Sequence, residues 1–252
     1  MEQDISVYGQ MDFNLPHDLV TLPSGGVFYK NKKKALKVGY LTASDENILL
    51  NASTTNREGV VLQLLRNKIY ETDLRPEELL TGDVEALLIF LRNTAFGSSY
   101  DVTLTDPQTQ KRFNVSLQLD ELNIKKTENK PNEEGVFVIK LPKSGNEVKI
   151  KPLSLGDSLD IEKMVDSYPT NRVAPKVTWR LNKQILSIDG NTDRGMIGKF
   201  IETMPIMDSK FIRTFLNDNE PRLDLQKEVT APSGEKVIVD ITFGVEFFRP
   251  FY

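Results

Sequence analysis

The sequence predicts an α+β protein in which helical segments accompany three antiparallel β-hairpins, without a parallel βαβ sheet. Several stretches place apolar residues three and four positions apart, as amphipathic helices do. Three other stretches alternate apolar and polar residues on both sides of a short turn, as hairpins do. The helices and hairpins follow one another without a repeating strand–helix–strand order, so the pattern is not that of a parallel sheet.

The first region, residues 1–35, is predicted to be an extended arm that ends in a turn. Pro16 and Pro23 disfavour a helix here. Gly25 and Gly26 permit positive φ, so the chain can reverse sharply before the apolar residues that follow. Two alternatives stay open for the arm, which either lies on a neighbouring molecule or is a loosely ordered terminus.

A basic strand-like segment over residues 27–41 leads into a helical stretch over residues 44–97. Ser44 is expected to cap the first helix, because two carboxylates follow it in the first turn. Asp83 is expected to cap a later one. The apolar positions of two amphipathic helices are Val60, Val61, Leu64, Leu65 and Ile69, and then Val84, Leu87, Leu88, Leu91 and Ala95.

The three hairpins are predicted from alternating residues on either side of a Pro- or Gly-containing turn. They cover residues 100–119, 136–153 and 225–243. The polar stretch 122–135 separates the first two and is typical of a linker, so we divide the chain there. The second region is therefore 36–130, a helical pair with a hairpin. The third is 131–252, which contains a hairpin, a helical segment and a C-terminal hairpin with an aromatic tail.

Helices are also predicted between the second and third hairpins. The first of them begins near Leu155 and ends near Tyr168. The other three cover 177–188, 193–204 and 208–216. Asp193 and Asp208 lie where N-terminal caps are expected.

Composition limits the chemistry that this chain can perform. The 252 residues carry a net charge of −4 and no Cys, so thiol chemistry and Cys-ligated metals are excluded. His17 is the single histidine. The sequence contains no nucleotide-binding or hydrolase motif, and its adjacent carboxylates resemble helix-start and loop charges. We therefore predict a non-enzymatic protein without a catalytic residue, metal or cofactor. No apolar stretch approaches the length of a membrane span, so no membrane contact is expected.

Two groups of residues are predicted to contact a protein partner. Several lysines follow an aromatic pair after the glycine turn, and aromatic residues are concentrated at residues 243–252. The lysines fit either a solvated face or an acidic protein surface, and the acidic chain makes nucleic acid an unlikely partner. The aromatic end either closes the protein's own core or anchors to another subunit. The residues assigned to partner binding are Phe28, Tyr29, Lys32, Lys33, Lys34, Phe247, Phe248, Arg249, Phe251 and Tyr252.

Three motifs in this order give the chain a family resemblance. They are LPSGGVFY at 22–29, YLTASDENILLN at 40–51 and Phe-Phe-Arg-Pro at 247–250, the last after a Pro-Ser-Gly hairpin. Together they resemble the baseplate hub and hub-assembly protein family of T-even-like contractile-tailed bacteriophages. Some relatives have a Cys pair in the turn of the last hairpin that would suit zinc. Here that turn is Ala-Pro-Ser-Gly at 231–234, which provides no such ligands.

The resemblance implies a structural or assembly component of the tail baseplate hub that acts through protein–protein contacts. The implied partners are other baseplate and hub proteins, with self-association as a further possibility. The implied locations are the virion tail baseplate and, during assembly, the host cytoplasm. Two alternatives remain, a transient tail-assembly chaperone that is absent from the mature virion and a DNA-binding accessory protein.

Overall fold

The structure is a computed structural model that describes residues 16–50, 57–243 and 245–248. Within these ranges the strands are β1 (His17–Thr21), β2 (Ala35–Gly39), β3 (Ser99–Thr105), β4 (Arg112–Gln118), β5 (Phe137–Lys140), β6 (Glu147–Ile150), β7 (Ile185–Ile188), β8 (Gln226–Thr230) and β9 (Lys236–Asp240). The helices are α1 (Ala43–Leu50), α2 (Arg57–Lys68), α3 (Thr81–Phe96), α4 (Leu155–Asp166), α5 (Lys176–Gln184), α6 (Arg194–Thr203) and α7 (Ile206–Asn219). Short 3₁₀ turns cover Pro76–Glu78, Leu119–Glu121 and Val245–Phe248.

The fold class is α+β with no parallel sheet, as the sequence predicts. β3 pairs with β4, β5 with β6 and β8 with β9, all antiparallel, which confirms the three hairpins. Each has a short turn between its strands, so alternating residues on both sides of the turn are enough to indicate the two strands. No helix in the described part of the chain is long and apolar enough to cross a membrane.

Two strands differ from the sequence prediction. β1 lies in the stretch assigned to the extended arm, but it pairs antiparallel with β2 through a register that sets Leu19 opposite Lys37. β7 lies at the end of a predicted helix, but helix α5 stops at Gln184 and β7 joins β6 as the third strand of a sheet. Ile185 begins this strand and is fully buried, which a β-branched residue favours in a strand.

The buried apolar residues form two clusters. The first cluster joins α2, α3 and the hairpins β1–β2, β3–β4 and β8–β9; it includes Leu22, Leu36, Leu64, Leu65, Leu87, Leu91, Val239, Ile241 and Phe247. The second cluster lies between the sheet β5–β6–β7 and helices α5–α7; it includes Phe137, Ile139, Val148, Ile150, Leu181, Ile185, Ile197 and Ile212. The C-terminal hairpin therefore packs in the first cluster, although the predicted region 131–252 groups it with elements of the second.

The region where α3 starts contacts both α4 and the segment after α7. The Leu155 N–H of α4 donates to the Leu79 carbonyl at 2.8 Å. A Cβ at Gly82 would lie 2.2 Å from the carbonyl oxygen of Pro221, so the segment after α7 packs directly on the helix backbone. Only glycine permits such a close approach.

Candidate assembly surfaces

The loop that follows β1 is a closed turn. Gly25 and Gly26 have φ of 58° and 77°, and the Leu22 N–H donates to the Lys34 carbonyl at 2.8 Å. A Cβ at Gly26 would lie 2.4 Å from the carbonyl oxygen of Lys33. The Pro-Ser-Gly-Gly motif therefore makes the sharp reversal that the sequence predicts, and the loop folds back on the protein.

Tyr29 of this loop ends in a buried hydrogen-bond network at the start of α3. Its hydroxyl donates to Asp83 and accepts the Leu80 N–H at 3.0 Å, while the Ser24 N–H donates to Asp83 Oδ1 at 2.9 Å. Burial raises the pKa of Asp83, and the bonds from Ser24 and Tyr29 oppose this shift. Burial also raises the pKa of Tyr29, and the charge of Asp83 raises it further.

This network changes the interpretation of two predicted residues. Asp83 does not cap α3, whose N-cap is Leu80; its carboxylate binds the loop instead. Tyr29 was predicted to contact a partner, but its side chain is buried within the first core cluster. The physical reason is that the loop turns inward, so the aromatic residue after the glycines packs on the chain's own helix.

Phe28 lies between the two core clusters and packs against both. The distance between ring centroids is 5.7 Å for Phe28 and Phe137 and 5.3 Å for Phe137 and Phe215. It is 6.3 Å for Phe215 and Phe211. These separations are typical of favourable aromatic pairs. Phe28 thus begins a row of rings that ends on the surface of α7.

The predicted lysines are divided between internal contacts and the surface. Lys32 Nζ donates to the backbone carbonyls of Val27 at 3.0 Å and Glu133 at 2.7 Å. Lys33 Nζ forms an ion pair with Asp73 at 3.0 Å and lowers the pKa of that carboxyl. Lys34 is exposed. Lys32 is exposed as well, but its amine is already bound to two backbone carbonyls, so Lys34 is the most accessible of the three amines to a partner.

The described part of the aromatic end closes the protein's own core. Phe247 is fully buried, with ring centroids 5.6 Å from Tyr100 and 4.9 Å from Phe243. The Arg92 guanidinium lies 5.6 Å from the Phe247 ring centroid and donates to the carbonyl of Gly97 at 2.6 Å. Phe248 is also buried. Both rings therefore pack in the first cluster, as in the alternative in which the aromatic end closes the protein's own core. Arg249, Phe251 and Tyr252 lie outside the described residues.

A family model described as T4 bacteriophage base plate protein matches residues 19–249, which is most of the chain. The chain belongs to this T4 bacteriophage base plate protein family. No curated protein and no solved structure matches it. As a member of a baseplate structural family, this protein has its place in the phage tail, where its neighbours are other baseplate proteins.

The described residues of this baseplate protein offer no obvious site for metal chemistry. Across 16–50, 57–243 and 245–248, no three His, Asp or Glu side chains are grouped so that they could hold an ion. The family is a structural one, and its contacts with neighbouring subunits must lie on exposed surface. Such surface is found on α7.

The first turns of α7 carry an apolar surface that the sequence analysis missed. Ile206 is 83% exposed, Met207 62% and Phe211 36%, whereas Ile212 is fully buried in the second cluster. The sequence predicts that this helix starts at Asp208, within the segment 208–216. Because α7 begins two residues earlier, Ile206 and Met207 belong to the helix, and they lie on its outer side. Spacing along the helix could have separated Phe211 from Ile212, since adjacent helical residues do not share a face.

The second missed feature is a pair of partly buried carboxyls, one in α3 and one just after α7. Burial raises the pKa of Glu85 in α3 and of Glu220 after α7 to about 7 each, against the opposing charge of Arg222. One carboxyl oxygen of each is buried and has no hydrogen-bond partner in the described part of the chain. Sequence reasoning had no signal for this pair, because the two residues are far apart along the chain.

Proposed function

We propose that this baseplate protein is a structural or assembly component of the baseplate hub and that it acts through protein–protein contacts rather than by catalysis. The observation that carries the proposal is the family match over residues 19–249. The ordered motifs LPSGGVFY, YLTASDENILLN and Phe-Phe-Arg-Pro support the narrower assignment to the hub. We also propose that the protein is present in the host cytoplasm during assembly, before it enters the tail.

The proposed contact residues are those predicted side chains that are exposed or lie outside the described part of the chain. They are Lys34, Arg249, Phe251 and Tyr252; exposed Lys32 is left out because its amine binds the carbonyls of Val27 and Glu133. The exposed apolar residues at the start of α7 are added to this set. Exposed apolar side chains grouped on one element commonly mark protein contacts.

The experiment that tests the proposal is quantitative mass spectrometry of purified particles beside tail-assembly intermediates from infected cells. We expect the protein in hub-containing intermediates. A fixed copy number in mature particles as well identifies a permanent hub or baseplate subunit. Detection in intermediates alone identifies a transient assembly chaperone, which is the second form of the proposal. Absence from both contradicts it.

A DNA-binding accessory role is the weaker alternative. It depends on the lysines at 30–37, and two of them, Lys32 and Lys33, are held by internal contacts. DNA binding through surface lysines weakens steeply with salt. A salt-dependent affinity for DNA that disappears in a Lys30→Glu, Lys34→Glu, Lys37→Glu variant would favour that role over the hub.

A further inference from the structure

The first two turns of α7 present three large apolar side chains to the solvent. This surface, called the α7 patch here, consists of Ile206, Met207 and Phe211. The opposite side of the helix is anchored in the second cluster through Ile212 and Leu216. The patch is therefore held on a packed helix, and a partner would meet it in a fixed orientation.

The end of the patch at Phe211 continues into the core through aromatic contacts. Phe211 contacts Phe215, with 6.3 Å between ring centroids, and Phe215 contacts Phe137. The Phe211 ring thus has one side supported by the protein while about a third of the residue stays exposed. A supported, partly exposed aromatic ring is the kind of side chain that anchors protein interfaces.

The exposed charges that α7 itself carries within residues 206–214 are positive. Lys210 and Arg213 are exposed on the same turns of α7. Asp208 provides the single carboxylate within residues 206–214, but it is buried and accepts the N–H groups of Lys143 at 2.7 Å and Ser144 at 2.9 Å. These bonds hold the turn between β5 and β6 against the start of α7, which adds exposed Lys143 to the border of the patch.

We propose that the α7 patch binds a segment of another baseplate protein that presents apolar side chains together with Asp or Glu carboxylates. This inference rests on the proposed function. A carboxylate-bearing partner complements the cations at Lys143, Lys210 and Arg213 and leaves the apolar side chains of both proteins buried. The same patch of a second copy would set cations against cations, and a nucleic acid backbone has no apolar surface to cover Ile206 and Met207.

The test uses zero-length carbodiimide coupling, which joins a lysine amine to a carboxylate in direct contact. Full-length protein is supplied in cells infected with the phage that encodes it, baseplate complexes are isolated, and coupled peptides are identified by mass spectrometry. We expect Lys143 or Lys210 to be coupled to Asp or Glu of a different baseplate protein. In a Met207→Glu, Phe211→Glu variant we expect these products to fall at least about tenfold, since the new carboxylates both repel the partner and remove apolar contact.

The matched control is Ile238→Glu, which changes an apolar residue that is 65% exposed on β9, a strand whose Val239 packs in the first cluster. Its coupled products should equal those of the wild type. Thermal unfolding of each variant shows that the fold is retained. The inference is overturned if the wild type is found in baseplate complexes but Lys143 and Lys210 couple to a second copy, to residues 1–15 of this chain, or to nothing. Absence of the wild type from every baseplate complex instead overturns the proposed function, and the inference with it.

Discussion

The hydroxyl of Tyr29 shows how a single atom holds the LPSGGVFY loop on α3. It donates to Asp83 and accepts from the Leu80 N–H inside the first core cluster. Tyr29→Phe leaves both groups buried without that partner, at a cost of about 1–3 kcal/mol for each unsatisfied group. We therefore expect the free energy of unfolding, measured by urea denaturation, to fall by about 2 kcal/mol or more.

The control for Tyr29→Phe is Tyr40→Phe. The Tyr40 hydroxyl donates to Asp18 at 2.8 Å on an exposed part of β1, so water can replace the lost bond. We expect a change within about 0.5 kcal/mol, as for other surface substitutions. Equal effects of the two variants would contradict a structural role for the Tyr29 network.

The buried carboxyl of Glu85 should make stability depend on pH. Its pKa in the folded protein is about 7, raised by burial from the ordinary 4.5. Between pH 4.5 and pH 7 the folded state keeps a proton on Glu85 that the unfolded state loses. The contribution of Glu85 to stability is therefore lost as the pH rises from 4.5 towards 7, and it stays lost at higher pH. Glu85→Gln removes the ionisation.

The measured quantity is the free energy of unfolding of Glu85→Gln minus that of the wild type. This difference should be more positive at pH 8 than at pH 5 by on the order of 2 kcal/mol. Urea denaturation at both pH values measures this. The exposed Glu162 of α4 provides the control, because Glu162→Gln should not alter the pH dependence. A wild-type minus variant difference that does not change with pH would show that Glu85 ionises freely in the folded state.

At the scale of elements, the sequence predicted what depends on neighbouring residues. The hairpin β3–β4 follows from turn chemistry within a few positions, and it was predicted. Asp193 was likewise predicted as a cap, and its side chain accepts the Met196 N–H at 2.8 Å. Helix α1 begins at Ala43, one residue before the predicted Ser44.

The elements that were missed depend on distant partners. β7 becomes a strand because it pairs with β6, so that Lys149 lies opposite Ser187. Asp208 occupies a typical capping position, but its carboxylate is taken by the turn between β5 and β6, and the N-cap of α7 is Pro205. Local propensity is overridden in these places by tertiary contacts that no window of the sequence contains.

The packing of α3 against the segment after α7 gives a prediction for Gly82. Alanine is favoured over glycine inside a helix by about 1 kcal/mol. At Gly82, however, the added Cβ would meet the Pro221 oxygen at 2.2 Å and the Arg222 Cβ at 2.6 Å. We expect this clash to dominate, because forced overpacking costs about 1–3 kcal/mol or more. Gly82→Ala should therefore lower the thermal unfolding temperature.

Gly198 in α6 provides the matched comparison. A Cβ there would have Asn182 Nδ2 as its nearest neighbour at 3.7 Å, an ordinary contact. Gly198→Ala should therefore keep the helix gain of up to about 1 kcal/mol and raise the unfolding temperature. If both variants raised it, the close approach of Pro221 to α3 would not hold in solution.

At the scale of the whole molecule, the sequence identified apolar and aromatic residues but not the direction in which they point. Tyr29, Phe247 and Phe248 were assigned to a partner, yet they form part of the first cluster. Ile206 and Met207 were not assigned to a partner, yet they are exposed. Hydrophobicity is local, whereas exposure depends on which elements meet, and here the C-terminal hairpin returns to the first cluster. The tip contact between Ser233 N–H and Asp106 Oδ2 at 3.0 Å fixes that return.

The last prediction separates the two roles that the aromatic end was given. Phe247 is fully buried between Tyr100, Phe243 and the Arg92 guanidinium, so Phe247→Ala should lower the free energy of unfolding by about 3–5 kcal/mol, as for other buried aromatic residues. Deletion of residues 249–252 removes Arg249, Phe251 and Tyr252 but retains Phe247 and the three residues named as its neighbours. We expect the deletion to change stability by less than about 1 kcal/mol.

The same deletion should reduce the amount of protein recovered in baseplate complexes, because it removes three of the proposed contact residues. Urea denaturation and quantitative mass spectrometry of isolated complexes measure the two effects independently. A deletion variant that unfolds as easily as Phe247→Ala would assign residues 249–252 to the core as well. One that is stable and enters the baseplate at wild-type levels would remove them from the interface, and the α7 patch and Lys34 would then carry the proposed contacts.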